Sequence, residues 1–512
     1  MTTSTAESPT AVAGAEPPSE RARAGVAMAV ATLAMAGSSA VQAVLYLSEF
    51  GVSKRTDAFF AAFALYTVFG IFTQSIRVTA VPLLVGERRM SRWEFAGTLT
   101  LIAVPAIVAC GPLASLLAEA LAPGASASTR SLTEDGLRIL GGAMVLQLAA
   151  AGAATVLGVA ERFGVIAGGY IAGAAAGLIT FFATLSPARE LALGWSMLAM
   201  AVVTCVWMIV GLRTAPADDR ARTASTPELV ANAGIVLGRT LVYFVINGLY
   251  LFTLAIATRH SAGDATVLSY AYLFVSYIVA GTSVAVGISR VPDMTRGAQT
   301  DWEEVVADTV PHGFRYAILV GAPAVAGLVA AGAALVGHIL PHSLPGHAVR
   351  TLETFGALLV PWLVAALTVN FVLPALFALG RARLVNLLSL PLIVLHVAAT
   401  LIGEALFGID GIVGSMFVGP LLFATVLLAV AGGGRRVEVG WQIVRDSIAF
   451  LALAAAAFGV GVGVASALPS GTGRSLLAAA VGGVLYLASL RFAAPRQLSV
   501  LVGAGRARSA SA

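Results

Sequence analysis

Two polar residues three apart, Gln74 and Arg77, interrupt the otherwise apolar run TDAFFAAFALYTVFGIFTQSIRVTAVPLL. A second apolar run carries Arg239, Tyr243 and Asn247 in steps of four. Both spacings place the side chains on one face of a helix. A charge at mid-membrane depth costs about 2.5–3.5 kcal/mol on insertion scales, so such a cation faces a cavity or a partner. The chemistry on offer is electrostatic: a guanidinium inside a membrane holds an anionic group, phosphate above all. Gln42 and Gln147 are further candidates for the same cavity. A structural reading stands beside this one. Arg77 lies close enough to the end of its run to snorkel, and the 239/243/247 stripe suits polar glue between packed helices. A lone histidine in a span, His396, reads as a bridge between helices.

Nothing else in the chain offers bond-making chemistry. There is no paired carboxylate, nucleophile triad or metal-ligand cluster at credible spacing, so a non-enzyme without a cofactor or metal is expected; any ion or membrane-potential coupling stays open. The two cysteines, Cys110 and Cys205, both fall in apolar runs and build no disulfide framework. Gly-rich pieces such as GGGRR lack the strand–turn–helix setting of a phosphate loop.

The elements that must position these residues are membrane helices. Hydrophobic types make up 58% of the 512 residues and charged types 11%, with mean hydropathy +0.90. At roughly 20 apolar residues per crossing, the sequence divides into about fourteen spans. Arginine concentrates in alternate loops, among them GERRMSRWE, LRTAPADDRARTAS and GGGRRVEVGWQIVR. This bias predicts N-in, C-in topology and explains the net charge of +5 without nucleic acid; the Ala- and Gly-rich composition, with arginine in place of lysine, points to a bacterial cytoplasmic membrane. The expected organisation is a disordered arm (1–24), six helices (25–213), a linker (214–230), six more (231–431), two final helices (432–493) and a tail (494–512). Single spans are expected at 95–121, 314–340, 352–379 and 384–402. Asn370 and Pro374 mark a candidate kink, and TDWEEVVADTV a short amphipathic helix leading into the ninth span.

An internal repeat joins the two sets of six. A basic pair (Lys54-Arg55; Arg259-His260) precedes Asp-Ala (Asp57-Ala58; Asp264-Ala265), then a long apolar span, then arginine shortly before Val-Pro (Arg77 and Pro82; Arg290 and Pro292). The arginine-bearing turns AERFG and LGRARL match in the same order. Six helices return the chain to its starting side, so the repeats insert in parallel, and two such bundles can rock around a central cavity. Asp57 and Asp264 stand where a carboxylate caps a helix start.

The residues that carry the repeat, FGVSKRTDAFFAAF, Val81-Pro82-Leu83, SVAVGISRVPDM and LFALGRARL, resemble the MurJ/MviN branch of the MOP exporter superfamily. The resemblance runs through helices 1–12. It implies an all-α polytopic membrane protein: two parallel six-helix repeats forming V-shaped lobes, plus two C-terminal helices. It also implies alternating access and flipping of a polyprenyl-pyrophosphate-linked cell-wall precursor (lipid II), in contact with membrane lipids and with cell-wall synthesis proteins. The family's cavity cations are not matched. Its helix 1 Arg-Asp pair aligns with Gln42 and Ala43, its helix 2 arginines with Gly70 and Ile71, and its helix 8 Asp-Arg pair with Tyr272 and Leu273. The departure leaves Arg77 and Arg239 as the substitutes, and another lipid-linked glycan as a substrate beside lipid II. A cation-coupled antiporter on the same fold would want buried carboxylates, which are nearly absent mid-span. A scaffold that does not transport is the remaining alternative.

Overall fold

The computed structural model describes residues 31–51 in part, 53–85, 90–123, 125–160, 162–215, 225–297, 302–332, 346–469 and 471–493. Some side chains inside these segments, those of Gln74, Arg77 and Arg290 among them, lie outside the description. So do the expected arm and tail and much of the linker.

Among the described residues the chain is helical, with no strand. In hydrocarbon every backbone N–H and C=O needs an internal partner, and a helix supplies one within the segment. The first helix, α1, covers the described residues between 31 and 50. It is followed by α2 (Lys54–Val85), α3 (Arg92–Cys110), α4 (Ala114–Leu121), α5 (Ala127–Val159), α6 (Phe163–Ala188) and α7 (Ala192–Gly211). The second half holds α8 (Thr226–Ala257), α9 (Asp264–Gly297), α10 (Trp302–Gly327), α11 (Gly346–Leu358), α12 (Val360–Ala378), α13 (Ala382–Ser415) and α14 (Val418–Ala431); α15 (Arg436–Ala465) and α16 (Thr472–Ala493) are appended. Each of the fourteen expected spans carries a helix, and ten stretches among the described residues are long and apolar enough to cross a membrane.

Several boundaries differ from expectation, each for a local reason. The third span is two helices: α3 stops at Cys110 and a turn through Gly111 leads into α4. The stretch TDWEEVVADTV is no separate helix; α10 runs from Trp302 through Pro311 to Gly327 and ends in a π-helical turn, Leu328–Gly332. The tenth span breaks at Leu359, not at Asn370 or Pro374. Pro361 opens α12, where its missing N–H costs nothing, and Asn370 donates to the Ala366 carbonyl at 2.8 Å. The eleventh continues past 402 and turns at Gly408, whose φ of 60° a side chain would resist.

The buried side chains fall into two main clusters, one drawn mostly from α2–α7 and one from α8–α16. Ala233 and Val236 cross over: they lie beyond the expected linker, yet pack in the first cluster. Leu47, Ala64 and Val68 cross the other way. Close approach between helices rests on small residues. The stretch GGYIAGAAAG puts Gly169, Gly173 and Gly177 on the α6 face that meets α7, where a Cβ on each would press on Met208, Thr204 and Met200 respectively.

Candidate functional site at the seam between the halves

The start of α2 makes the most consequential polar contacts in the structure. Its own N-terminus is served by Ser53, which exchanges hydrogen bonds with Thr56: Ser53 N–H donates to Thr56 Oγ1 at 2.8 Å and Thr56 N–H to Ser53 Oγ at 3.3 Å. That frees Asp57, which is 2% exposed, to reach across to the other half. Its Oδ2 accepts from Gly263 N–H at 2.8 Å; its Oδ1 accepts from Thr266 N–H at 2.9 Å and Thr266 Oγ1–H at 2.7 Å. The expected capping role therefore belongs to a different helix: Asp57 caps α9, where the positive end of the helix dipole meets its charge. Its repeat counterpart, Asp264, accepts from Ser261 N–H at 3.0 Å in its own turn.

Lys54, the sole lysine of the chain, completes the clamp. Its ammonium donates to the carbonyls of Thr258 at 3.0 Å and His260 at 2.8 Å, where α8 has just ended. A cation suits the carbonyl end of a helix as a carboxylate suits the amide end. One turn of α2 thus holds both ends of the α8–α9 turn with opposite charges. Deeper in the seam, Tyr270 O–H donates to the Ala43 carbonyl at 2.6 Å, and the Phe72 ring meets Phe244 edge-on at 5.9 Å.

Each half also ties its own loop. Arg55 Nε donates to Glu190 Oε1 at 2.6 Å, in the turn between α6 and α7. His260 Nε2 lies 3.0 Å from Glu404 Oε1 on α13. These pairs occupy corresponding places in the two repeats.

The sequence-chosen cavity residues are distributed differently. Gln42 is fully buried within the first half, donating to Ser38 Oγ at 3.1 Å and accepting from Ser196 Oγ–H on α7 at 2.5 Å. We expect Gln42→Leu to lower stability by about 0.5–1.5 kcal/mol, through the lost hydrogen bonds alone, because the Ser196 hydroxyl keeps the Gly177 carbonyl at 2.8 Å, while transport per folded molecule is kept; thermal melting of the purified protein beside a transport assay checks both. Gln147 donates to the Tyr66 hydroxyl within the same half. Tyr243 and Asn247 are brought together in the second half. Asn247 Nδ2 donates to the Tyr243 carbonyl at 2.7 Å, its Oδ1 accepts from Tyr272 at 3.3 Å, and the Tyr243 ring stands 6.2 Å from Phe377. Arg239 is half-buried one turn away on α8. Gln74 and Arg77 lie on α2, with side chains outside the description. His396 bridges as expected, its Nε2 lying 2.9 Å from Thr253 Oγ1 and 3.1 Å from the Leu249 carbonyl.

The positions aligned with the resembled family's charges are filled by neutral, packed groups. Tyr272 stacks on Tyr250 at 3.7 Å and lies 5.0 Å from Trp362, so an aromatic pile occupies that part of the second half. No cluster of metal ligands occurs among the described residues, and both cysteines are buried and free. Sequence reasoning missed the role of Lys54 and the reach of Asp57. The signal that could have found them was the lone lysine, one turn ahead of an aspartate, in a chain that otherwise uses arginine.

No protein-family model and no curated protein matches the sequence. Solved structures do match, and they define the fold. A lipid II flippase MurJ in an inward closed conformation is similar with TM-score 0.69 at 14% identity, covering 91% of this chain and 98% of its own. An inward-facing multidrug resistance MATE family transporter of the MOP superfamily gives 0.59 at 14% identity, covering 81% and 98%. A MOP superfamily transporter from Pyrococcus furiosus gives 0.57 at 14% identity, covering 82% and 96%. The chain therefore has the fold of MOP superfamily transporters, an all-α multi-pass membrane architecture.

Proposed function

We propose that this protein is an alternating-access flippase that moves a polyprenyl-(pyro)phosphate-linked glycan from the inner to the outer leaflet of a bacterial cytoplasmic membrane. The observation that carries the reading is the clamp of Lys54 and Asp57 on the α8–α9 turn. Two repeats joined at one end by reversible hydrogen bonds to helix termini are built to part there and close elsewhere. The arginine asymmetry puts that end outside. The motif TDAFFAAF and the fuller match to the flippase than to the MATE proteins, 91% against 81% of this chain, favour a lipid-linked substrate over a multidrug one. In this reading Arg77 and Arg239 hold the phosphate while the polyprenyl tail stays in lipid.

Depleting the protein is expected to make a lipid-linked glycan accumulate on the inner leaflet, with Arg77→Ala and Arg239→Ala each lowering flipping at least about tenfold, as loss of a charge-assisted contact to phosphate would. Leaflet-resolved labelling of lipid-linked intermediates measures both. Unchanged intermediates on both leaflets would overturn the flippase reading; full activity of both variants would overturn the assignment of the two arginines.

A further inference from the structure

The two repeats tie their loops with different chemistry, and the difference is one of titration. In the first half, Arg55 pairs with Glu190 through a guanidinium that keeps its charge at every physiological pH. In the second half the corresponding cation is His260, paired with Glu404. Histidine is the one side chain whose ordinary titration falls between pH 5 and 8. The pair is open to protons: the His260 and Glu404 side chains are 27% and 28% exposed. His260 is also the residue whose carbonyl receives Lys54 from the other half. Its side chain thus anchors to α13 the turn that its backbone offers to the clamp.

We propose that the His260–Glu404 pair is a proton-sensitive latch that favours closure of the Lys54 end at low pH and releases it as pH rises. The proposal rests on reading that end as a gate. With the imidazole protonated, the bond to Glu404 is charge-assisted and the turn is held against α13, so the Thr258 and His260 carbonyls stay in register for Lys54. Loss of the proton leaves a neutral imidazole against the carboxylate, a weaker bond without the ion pairing, and a looser turn. Of the charged groups around His260, the Glu404 carboxylate attracts the protonated ring, while the cations Lys54 and Arg259 oppose it. Glu404 faces it from α13, whose next carboxylate, Asp410, lies beyond the Gly408 turn and is exposed. Lys54 approaches from α2, but onto the carbonyl. Asp57 is committed to Gly263 and Thr266. Arg259 and Asp264 lie in the same turn, Asp264 bonded to Ser261.

The test places spin labels on cysteines at Ser128, exposed at the start of α5, and Ser466, exposed at the end of α15; the native cysteines are buried. In proteoliposomes the label separation should lengthen between pH 5.5 and 8, with the closed-to-open ratio falling by up to about fivefold, the upper range of a partly exposed ion pair. His260→Gln and Glu404→Gln should abolish the pH response, and His260→Arg, which copies the first half, should hold the short distance throughout. A wild-type separation that ignores pH, or a response that survives either glutamine variant, would overturn the latch. The distances are read without substrate, so this outcome is separate from that of the flipping assay.

Discussion

Asp57→Ala is expected to open the Lys54 end of the molecule and to stop productive cycling. The carboxylate accepts three hydrogen bonds from the start of α9 while 2% exposed. Hydrogen bonds to a charged group are worth about 1.5–3 kcal/mol each and do not add fully, so a net loss of about 3 kcal/mol is a reasonable scale. At 1.4 kcal/mol per decade, that moves the closed-to-open ratio by roughly a hundredfold. The effect falls on the equilibrium between states more than on folding, because α2 keeps its own cap from Ser53 and Thr56. Leu47 supplies the reporter. It belongs to the first half by chain position but is 3% exposed within the core cluster of the second. A cysteine there should resist a membrane-impermeant maleimide in the otherwise native protein and react readily in the Asp57→Ala background. Asp57→Asn should fall between the two, since its amide accepts at one oxygen but presents an N–H to the other donor. If Asp57→Ala leaves Leu47→Cys protected and transport intact, the clamp is not a gate.

Gly173→Leu should have the larger effect on folding. A Cβ at Gly173 would overlap the Thr204 hydroxyl and come to 3.0 Å from the Met200 carbonyl oxygen. The hydroxyl can rotate away, but the backbone carbonyl cannot, so α6 and α7 must separate. Overpacking a close contact costs about 1–3 kcal/mol, and the separation strips contact from Gly169 and Gly177 on the same face as well. The expected result is a loss of most folded protein from the membrane fraction, with a melting temperature lowered by several degrees in what remains. Gly173→Ala should be milder. Gly164→Ala, where a Cβ meets nothing within 4 Å, is the control that should melt like the parent protein.

The sequence-level expectations divide along a physical line. The membrane class, the span count and the repeat were legible because each depends on composition and period along the chain. Hydrophobic runs must be about as long as the bilayer is thick, and a repeated motif is visible wherever it stands. The charge-poor interior was equally plain. Local breaks were legible only in part. Pro374 looked like the kink, but a proline in an apolar helix is tolerated where neighbours pack well, and the break fell at Leu359, beside a proline that could open a new helix. The stripe Arg239, Tyr243 and Asn247 was correctly placed on one helix, yet the sequence had no means of saying that the Asn247 amide donates to the Tyr243 carbonyl and accepts from the Tyr272 hydroxyl.

What the sequence by itself determined is therefore the helical membrane class, its two halves and the choice of Asp57 as a helix cap. What only the tertiary structure decided is which helix Asp57 caps. Charge and helix-start position are properties of a few neighbouring residues, so they can be read in order along the chain. The partners Gly263 and Thr266 lie more than two hundred residues away, and a contact of that separation exists only once both halves are packed. The same folding turned a lone lysine, read in the sequence only as part of a repeated basic pair, into half of a clamp.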